Sequence, residues 1–457
     1  MKTPISDFVT EYAASDTVRF HMPGHKGSKV LGCERLDITE VSGADALYEA
    51  SGIIAESEKN ATKLFGTGRT LYSTEGSSQC IRAMLELARR WWQRKQKEEL
   101  SKVQLRPVVV AARNVHKSFI YAATLLDFEI VWLYGEEENP SLCSCVITEQ
   151  TLRRVLAEKE NQIACVYITS PNYLGGMADI ASLANVCHEY NTLLCVDNAH
   201  GAYLHFLEQS LHPMDLGADL CCDSAHKTLP VLTGGAYLHI SKNAPAQLKE
   251  WAKGAMELFG STSPSYLILQ SLDLCNAYLA GDYKERLRKS CGLLAECRKH
   301  LIQAGWQVEE TDPLRLTISA SEEVSGVQLA DRLRDGWIEC EYADEDYLVL
   351  MATPENKVTD FDRLLAVLGE NKESSLHKSG KKIPMVCSVK TACTVREAYF
   401  SEGEILPVEQ AEGRICRMPT AACPPAIPVV VPGEQINKEA IQSFLYYGIQ
   451  FVDVIKE

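Results

Sequence analysis

The apolar and polar positions of this chain alternate in blocks whose periodicity switches between that of strands and that of helices. Between residues 73 and 239, short apolar runs of strand length are separated by longer segments with helical spacing. This alternation predicts βαβ units and a mostly parallel sheet, which binds ligands at the carboxyl ends of its strands. The predicted strands are 107–112, 128–133, 163–168, 192–196, 219–222 and 235–240, and the predicted helices are 79–100, 115–126, 148–160 and 180–190.

The pattern changes beyond this region. Residues 266–304 are largely helical, and strands at 314–319 and 347–351 flanking a helix at 326–334 predict a smaller α+β domain. The segment 371–382 is polar, with four lysines and three serines, and is typical of a linker. We therefore predict an N-terminal segment, a large domain, a small domain, a linker and a C-terminal α+β domain at 1–50, 51–282, 283–370, 371–384 and 385–457.

Composition narrows the class of function. The 457 residues include 46 Lys plus Arg against 61 Asp plus Glu, and the net charge of −15 argues against nucleic-acid binding and docking on an anionic membrane. The N-terminus lacks the basic-then-apolar pattern of a signal peptide, and no apolar run approaches the roughly 18 residues of a membrane span. Because there is no secretion signal, we expect a cytoplasmic protein whose 17 cysteines are reduced and mostly buried thiols. The cysteines also lack the spacing of zinc ligands, so no metal site is expected.

A lysine with small polar neighbours follows one of the predicted strands. The segment 222–228 reads Cys-Asp-Ser-Ala-His-Lys-Thr, which puts Lys227 just beyond the strand at 219–222. Partial burial and a nearby cation lower the pKa of such an amine, so that it becomes a nucleophile able to form an imine with an aldehyde. Ser224 and His226 are placed to reach a phosphate. Alone, however, this pattern most often marks a surface lysine.

Three further polar groups follow strands of the same region. Asp197 ends a strand 30 positions before Lys227 and suits a protonated pyridine nitrogen, although acids there also occur in metal and nucleotide sites. The loop 73–78 precedes a long helical pattern, where Ser77 and Ser78 suit a phosphate or simply cap the helix. His116 suits either stacking on a cofactor ring or an ordinary structural hydrogen bond. Taken in order, phosphate loop, ring-stacking residue, acid and lysine predict an enzyme that uses pyridoxal phosphate (PLP).

The motifs of the chain resemble those of the Orn/Lys/Arg decarboxylase family of fold type I PLP enzymes. They are HMPGHKG at 21–27, DITE at 37–40, NVHKS at 114–118, DNAHGA at 197–202, SAHKTLP at 224–230, STSPSY at 261–266, REA at 396–398 and PGE at 432–434. The resemblance covers nearly the whole chain and is to the compact form, without an N-terminal wing domain. It implies an aspartate aminotransferase-like α/β large domain and decarboxylation of arginine, lysine or ornithine, as in polyamine metabolism.

The resemblance also implies roles for individual residues. Lys227 would be the Schiff-base lysine, Asp197 the partner of the pyridine nitrogen, and Lys227 or His226 the proton donor. His116 would stack on one face of the ring and Ala199 would lie against the other. The phosphate would be held by Ser77, Ser78, Ser224 and His226, and by Thr262 of a neighbouring subunit. This last contact implies a homodimer or a larger homo-oligomer with a shared active site.

Substrate recognition is less well defined by the resemblance. Glu397 and Glu434 are candidates for the distal cation of a basic amino acid, and are equally well read as a solvated helix residue and a turn residue. Three positions depart from the family pattern: Asn198 stands in place of Glu or Ser, Ile81 in place of Asn, and Cys423 in place of Tyr.

Two other functions therefore stay open. One is a fold type I aminotransferase or lyase; in an aminotransferase, Arg315 on a predicted strand could bind the α-carboxylate. The other is a non-catalytic protein that binds PLP.

Overall fold

The computed structural model describes residues 1–98, 106–135, 141–159, 162–321, 323–369, 389–422 and 424–456. The chain divides into two compact units, each assembled from several segments. The first unit comprises Met1–Gln104, Ile163–Tyr167 and Ile180–Glu285, and the second comprises Leu105–Gln162, Ile168–Asp179 and Arg286–Glu457. The predicted linker at 371–384 and the unusual Cys423 lie outside the described residues, and the bounds of the five predicted segments stay predictions.

Strands and helices alternate along most of the chain. The strands are β1 (Arg69–Ser73), β2 (Val108–Ala112), β3 (Glu129–Leu133), β4 (Ile163–Thr169), β5 (Leu193–Asp197), β6 (Leu220–Asp223), β7 (Ala236–Ile240), β8 (Arg315–Ser319), β9 (Tyr342–Ala343), β10 (Tyr347–Met351), β11 (Gly403–Pro407) and β12 (Phe451–Ile455). The α-helices are α1 (Pro4–Ala14), α2 (Ile53–Leu64), α3 (Gly76–Glu98), α4 (Lys117–Leu126), α5 (Glu149–Glu158), α6 (Ile180–Glu189), α7 (Ala225–Thr228), α8 (Ala246–Glu257), α9 (Tyr266–Leu279), α10 (Tyr283–Gln303), α11 (Gly326–Asp335), α12 (Val358–Leu368), α13 (Val395–Phe400) and α14 (Lys438–Tyr446).

The sheet of the first unit has the strand order β1-β7-β6-β5-β4. Strands β5 and β6 pair in parallel, whereas β7 runs antiparallel to both β6 and β1. Every residue of β5 and β6 is buried, as expected for short apolar strands that are covered on both faces of a sheet. Because Asp197 lies opposite Cys222 in the register, the carboxyl ends of β5 and β6 are adjacent. Polar residues that follow these two strands are therefore brought together.

The sequence-based elements are confirmed in type and order. Each strand predicted between residues 107 and 240 is present within one residue of its predicted bounds, and the predicted mostly parallel α/β fold is confirmed. Strand β1 was not predicted, because its five residues, Arg-Thr-Leu-Tyr-Ser, combine polar and apolar side chains without a clear period.

The second unit contains a parallel pair of strands, β2 and β3, a three-stranded sheet and a two-stranded sheet. The antiparallel sheet β8-β10-β9 shares an apolar core with α11 and α12. The antiparallel pair of β11 and β12 shares another core with α14. Both regions are α+β, as predicted. Within the described ranges, no helix is both long enough and apolar enough to cross a membrane. The described cysteines are free thiols, and most of them are buried.

Candidate active site

Asp197, the last residue of β5, is a buried carboxylate with a defined set of donors. It is only 2% exposed. The Tyr167 hydroxyl donates to Oδ2 over 3.1 Å, and the backbone N–H of Ala199 donates to Oδ1 over 3.2 Å. Burial raises the pKa of Asp197, while the charge of Lys227 and these hydrogen bonds oppose that rise. A further positive charge beside Asp197, such as a protonated ring nitrogen, would relieve the cost of burying the anion.

Lys227 lies half-buried in the short helix α7, just beyond the end of β6. Its Nζ is 2.7 Å from Nε2 of His200, a residue that is 4% exposed. The structure thus adds His200 to the predicted site residues. The sequence feature that could have indicated His200 is its position in the motif DNAHGA, three residues after Asp197.

The predicted phosphate loop joins β1 to the 23-residue helix α3. Its turn requires glycine at two points: Gly76 has a φ of +72°, and a Cβ at Gly234 would come within 2.9 Å of the Thr74 carbonyl oxygen. The Gly76 N–H donates to the Gly234 carbonyl over 2.7 Å, which joins this loop to the segment before β7. The hydroxyls of Ser77 and Ser224 then lie 2.8 Å apart at the start of α3. Two hydroxyls beside the positive end of a long helix suit an anion.

Four other predicted cofactor residues lie in the first unit. His226 donates from Nδ1 to the Gly235 carbonyl over 3.0 Å, and burial lowers its pKa, so that its ring is neutral with Nε2 as an acceptor. A neutral His226 would not donate to a phosphate through Nε2. Ala199 and Ser78 are half-buried, whereas Thr262 is exposed in the turn between α8 and α9. Their predicted contacts with the cofactor stay predictions.

His116, Glu397 and Glu434 lie in the second unit. His116 caps α4, because its Nδ1 accepts the Ser118 N–H over 3.1 Å. Glu397 is exposed and forms a capping box with Thr394 at the start of α13. These contacts agree with the alternative given by the sequence, in which Glu397 is a solvent-exposed helix residue.

Glu434 differs from Glu397 because it is almost fully buried. Its Oε2 accepts from Arg113 over 3.2 Å and from the Val431 N–H over 2.8 Å. Burial raises the pKa of Glu434, and the charge of Arg113 opposes that rise. Its Oε1 is buried and has no hydrogen-bond partner among the described residues. This carboxylate therefore combines an ion pair with one uncommitted oxygen.

A fully buried network lies behind the turn that carries Asp197. Asp223 Oδ2 accepts from Nε2 of both His212 and His239 over 3.0 Å, and its Oδ1 accepts from the Asn198 amide over 2.7 Å. Burial raises the pKa of Asp223, but the two histidines outweigh that effect and hold the pKa well below its usual value. Asn198, one of the departures from the family pattern, is thus an anchor between the ends of β5 and β6.

The hydrogen-bond directions among the three ligand-type side chains of this network favour a buried anion over a metal centre. His212 accepts the Met214 N–H at Nδ1 over 3.3 Å, so the neutral ring carries its own hydrogen on Nε2 and directs it at Asp223. A metal ligand would need a lone pair on that Nε2. The arrangement is instead a hydrogen-bonded anion, which fixes the position of the adjacent turn.

The first unit therefore presents three features that suit one kind of cofactor. They are a hydroxyl pair at a helix N-terminus for a phosphate, a buried carboxylate for a protonated ring nitrogen, and a lysine amine for an aldehyde. Residues Ser77, Ser224, Asp197 and Lys227 would hold such a group. This chemistry matches that of PLP.

Comparisons with known proteins agree along nearly the whole chain. Residues 3–350 match the family described as Orn/Lys/Arg decarboxylase, major domain, and residues 376–453 match Orn/Lys/Arg decarboxylase, C-terminal domain. The chain is 27% identical over 482 residues to the arginine decarboxylase of Bacillus subtilis (strain 168), which covers 98% of this chain and 94% of that relative. It is 21% identical over 578 residues to the lysine decarboxylase LdcA of Pseudomonas aeruginosa, covering 97% and 75%. Among solved structures, the lysine decarboxylase LdcF of Francisella novicida has a TM-score of 0.80 at 16% identity and covers 99% of this chain and 81% of that one.

Proposed function

Because the chain belongs to the Orn/Lys/Arg decarboxylase family and is an amino-acid decarboxylase, we propose that it decarboxylates a basic amino acid with PLP bound at Lys227. The observation that carries the proposal is the adjacency of β5 and β6, which brings buried Asp197 and the Lys227 segment to one end of the sheet. Arginine is the first substrate to test, since the relative from Bacillus subtilis is an arginine decarboxylase and the more distant LdcA acts on lysine. The amine product would enter polyamine metabolism.

Bound PLP supplies an aldehyde that links to amines and a ring that accepts the electron pair released when CO₂ departs. In this account, Asp197 holds the proton on the ring nitrogen, and Ser77 and Ser224 orient the phosphate. Lys227 Nζ provides the covalent link and later the proton that replaces the carboxylate. The alternative donor, His226, is less suited, because its N–H is already donated to the Gly235 carbonyl.

Glu434 is the better supported of the two candidates for the substrate's distal cation. Its Oε1 is buried without a partner among the described residues, and such an oxygen would gain a charge-assisted hydrogen bond from a guanidinium or ammonium group. Glu397, by contrast, already binds the backbone N–H and the hydroxyl of Thr394.

The homodimer belongs to the same proposal. Thr262 is exposed in the turn between α8 and α9, which leaves its hydroxyl available to a second copy of the chain. If Thr262 completes the phosphate site of that copy, Thr262→Ala would weaken PLP binding in the dimer. Mixing this variant with Lys227→Ala would then restore activity in part, since one of the two shared sites would have both residues intact.

The deciding experiment is a panel of carboxyl-labelled amino acids incubated with the purified, PLP-loaded protein. We expect CO₂ from arginine, lysine or ornithine, with the matching amine as product, and none from neutral or acidic amino acids. The Lys227→Ala variant is the control and should release none. If a keto acid formed in place of an amine, the proposal would be wrong and the protein would be an aminotransferase.

The aminotransferase alternative is weakened by the surroundings of Arg315. This arginine is fully buried, forms an ion pair with Asp312 at 3.2 Å, and donates to the backbone carbonyl of Tyr173 over 2.7 Å. Asp312 thus already supplies the negative charge that such an arginine would otherwise take from a substrate carboxylate.

A further inference from the structure

We propose that His200 is a catalytic residue that exchanges a proton with Lys227 and thereby keeps the lysine amine available as a nucleophile. The inference rests on the proposed function, because it assigns a proton partner to the lysine that would link to PLP. Its starting point is the 2.7 Å separation of Lys227 Nζ and His200 Nε2.

The contact has a defined donor and acceptor. A lysine ammonium carries only hydrogens to donate, so Nε2 of His200 accepts and its ring hydrogen is on Nδ1. His200 is 4% exposed and Lys227 is half-buried. Burial disfavours the charged form of a lysine, which makes proton transfer to a neighbouring imidazole easier than it is in water.

The transfer is balanced within the pair. The Nζ–H bond of the ammonium breaks and leaves its electron pair on Nζ, while the lone pair of Nε2 forms a new N–H bond. Lys227 becomes a neutral amine and His200 an imidazolium. The reverse transfer returns the proton to Lys227 when the lysine is released or acts as an acid.

The turn around His200 is held in place by its neighbours. The Asn198 N–H donates to the Cys222 carbonyl over 3.0 Å, its side-chain amide donates to Asp223 over 2.7 Å, and the Gly201 N–H donates to the Asn198 carbonyl over 2.8 Å. The buried Asp223 network therefore fixes the backbone on both sides of His200. A histidine fixed in this way is preorganised for proton transfer rather than drawn to the lysine by chance.

The test compares His200→Asn and His200→Gln with wild type, and uses His300→Gln as the control because His300 is an exposed histidine of α10. Each protein is stripped of cofactor and mixed with PLP, and the rate of the covalent lysine–PLP link is followed by absorbance across a range of pH. We expect the His200 variants to react about 10²-fold more slowly near neutral pH. Their rates should approach that of wild type at high pH, where the lysine amine loses its proton without help, and added imidazole should restore part of the loss.

A second readout does not depend on PLP. Labelling of Lys227 by an amine-selective reagent in the cofactor-free protein, measured by peptide mass, should slow in the same variants and stay unchanged in His300→Gln. An unchanged rate and pH profile in both His200 variants would overturn the assignment. Absence of the link in wild type would instead overturn the proposed function, so the two failures are distinguishable. If circular dichroism shows that one of the two His200 variants is unfolded, the comparison uses the other His200 variant.

Discussion

Substituting Gly201 by alanine tests the architecture that supports the site. The backbone of Gly201 has a φ of −119°, which alanine tolerates, so the effect arises from packing and not from backbone strain. The added Cβ would lie 1.9 Å from Asn198 Oδ1 and 2.7 Å from Leu204 Cδ1. Since both neighbours are buried, Asn198 must rotate and lose its 2.7 Å hydrogen bond to Asp223.

The expected magnitude follows from two contributions. Losing a buried hydrogen bond to a charged group costs about 1.5–3 kcal/mol, and overpacking a filled interior costs about 1–3 kcal/mol. We therefore expect Gly201→Ala to lower the free energy of unfolding by roughly 2.5–6 kcal/mol, and the thermal midpoint of this 457-residue chain by roughly 3–6 °C. The matched control is Gly254→Ala in α8, where a Cβ meets no atom within 4 Å and the helix gains up to about 1 kcal/mol.

Circular dichroism and calorimetry of both variants provide the assay. The double variant Asn198→Ala/Gly201→Ala separates the two contributions, because removing the Asn198 side chain removes the collision and makes the two effects non-additive. A thermal midpoint of Gly201→Ala equal to that of wild type would refute the packing described around Asn198.

The remaining predictions concern three carboxylates. Asp197→Asn should leave the thermal midpoint of the cofactor-free protein near that of wild type, because burying the charge is costly, and should lower kcat about 10²-fold in a steady-state CO₂ assay. Asp223→Asn should cost about 3 kcal/mol near neutral pH. The folded-state pKa of Asp223 lies below that of the unfolded chain, so this stability is present above about pH 4 and is lost as the pH falls. Thermal midpoints measured against pH should therefore converge in acid, and a constant difference would argue against a buried anion. Glu434→Gln should lower the midpoint through the loss of its ion pair with Arg113, and should raise KM for arginine more than it lowers kcat if Oε1 binds the substrate.

The alternating hydrophobic pattern was sufficient to predict most of the elements that carry the site. Strands β5 and β6 are short, continuous apolar runs that end in polar residues. Their bounds therefore followed from the sequence to within one residue, as did the positions of Asp197 at the end of β5 and of Lys227 beyond β6. The wider Lys227 motif is what separated this lysine from an ordinary surface residue.

Contacts between distant positions could not be predicted in the same way. His212 and His239 lie 11 and 16 residues from Asp223, and no periodicity indicates that both bind the same carboxylate oxygen. The ion pair of Arg113 with Glu434 spans 321 residues and depends on how the C-terminal segment packs within the second unit. His200 belongs to a recognised motif, yet its contact with Lys227 depends on the parallel register of β5 and β6, which only the structure provides.

The most direct test of the central claim is borohydride reduction of the PLP-loaded protein, followed by mass analysis of its peptides. Reduction makes the link between a lysine and PLP permanent, so the modified residue can be identified. We predict one major adduct, on Lys227, and its absence from Lys227→Ala. An adduct on another lysine, or none at all in a wild-type protein that has taken up PLP, would contradict the account.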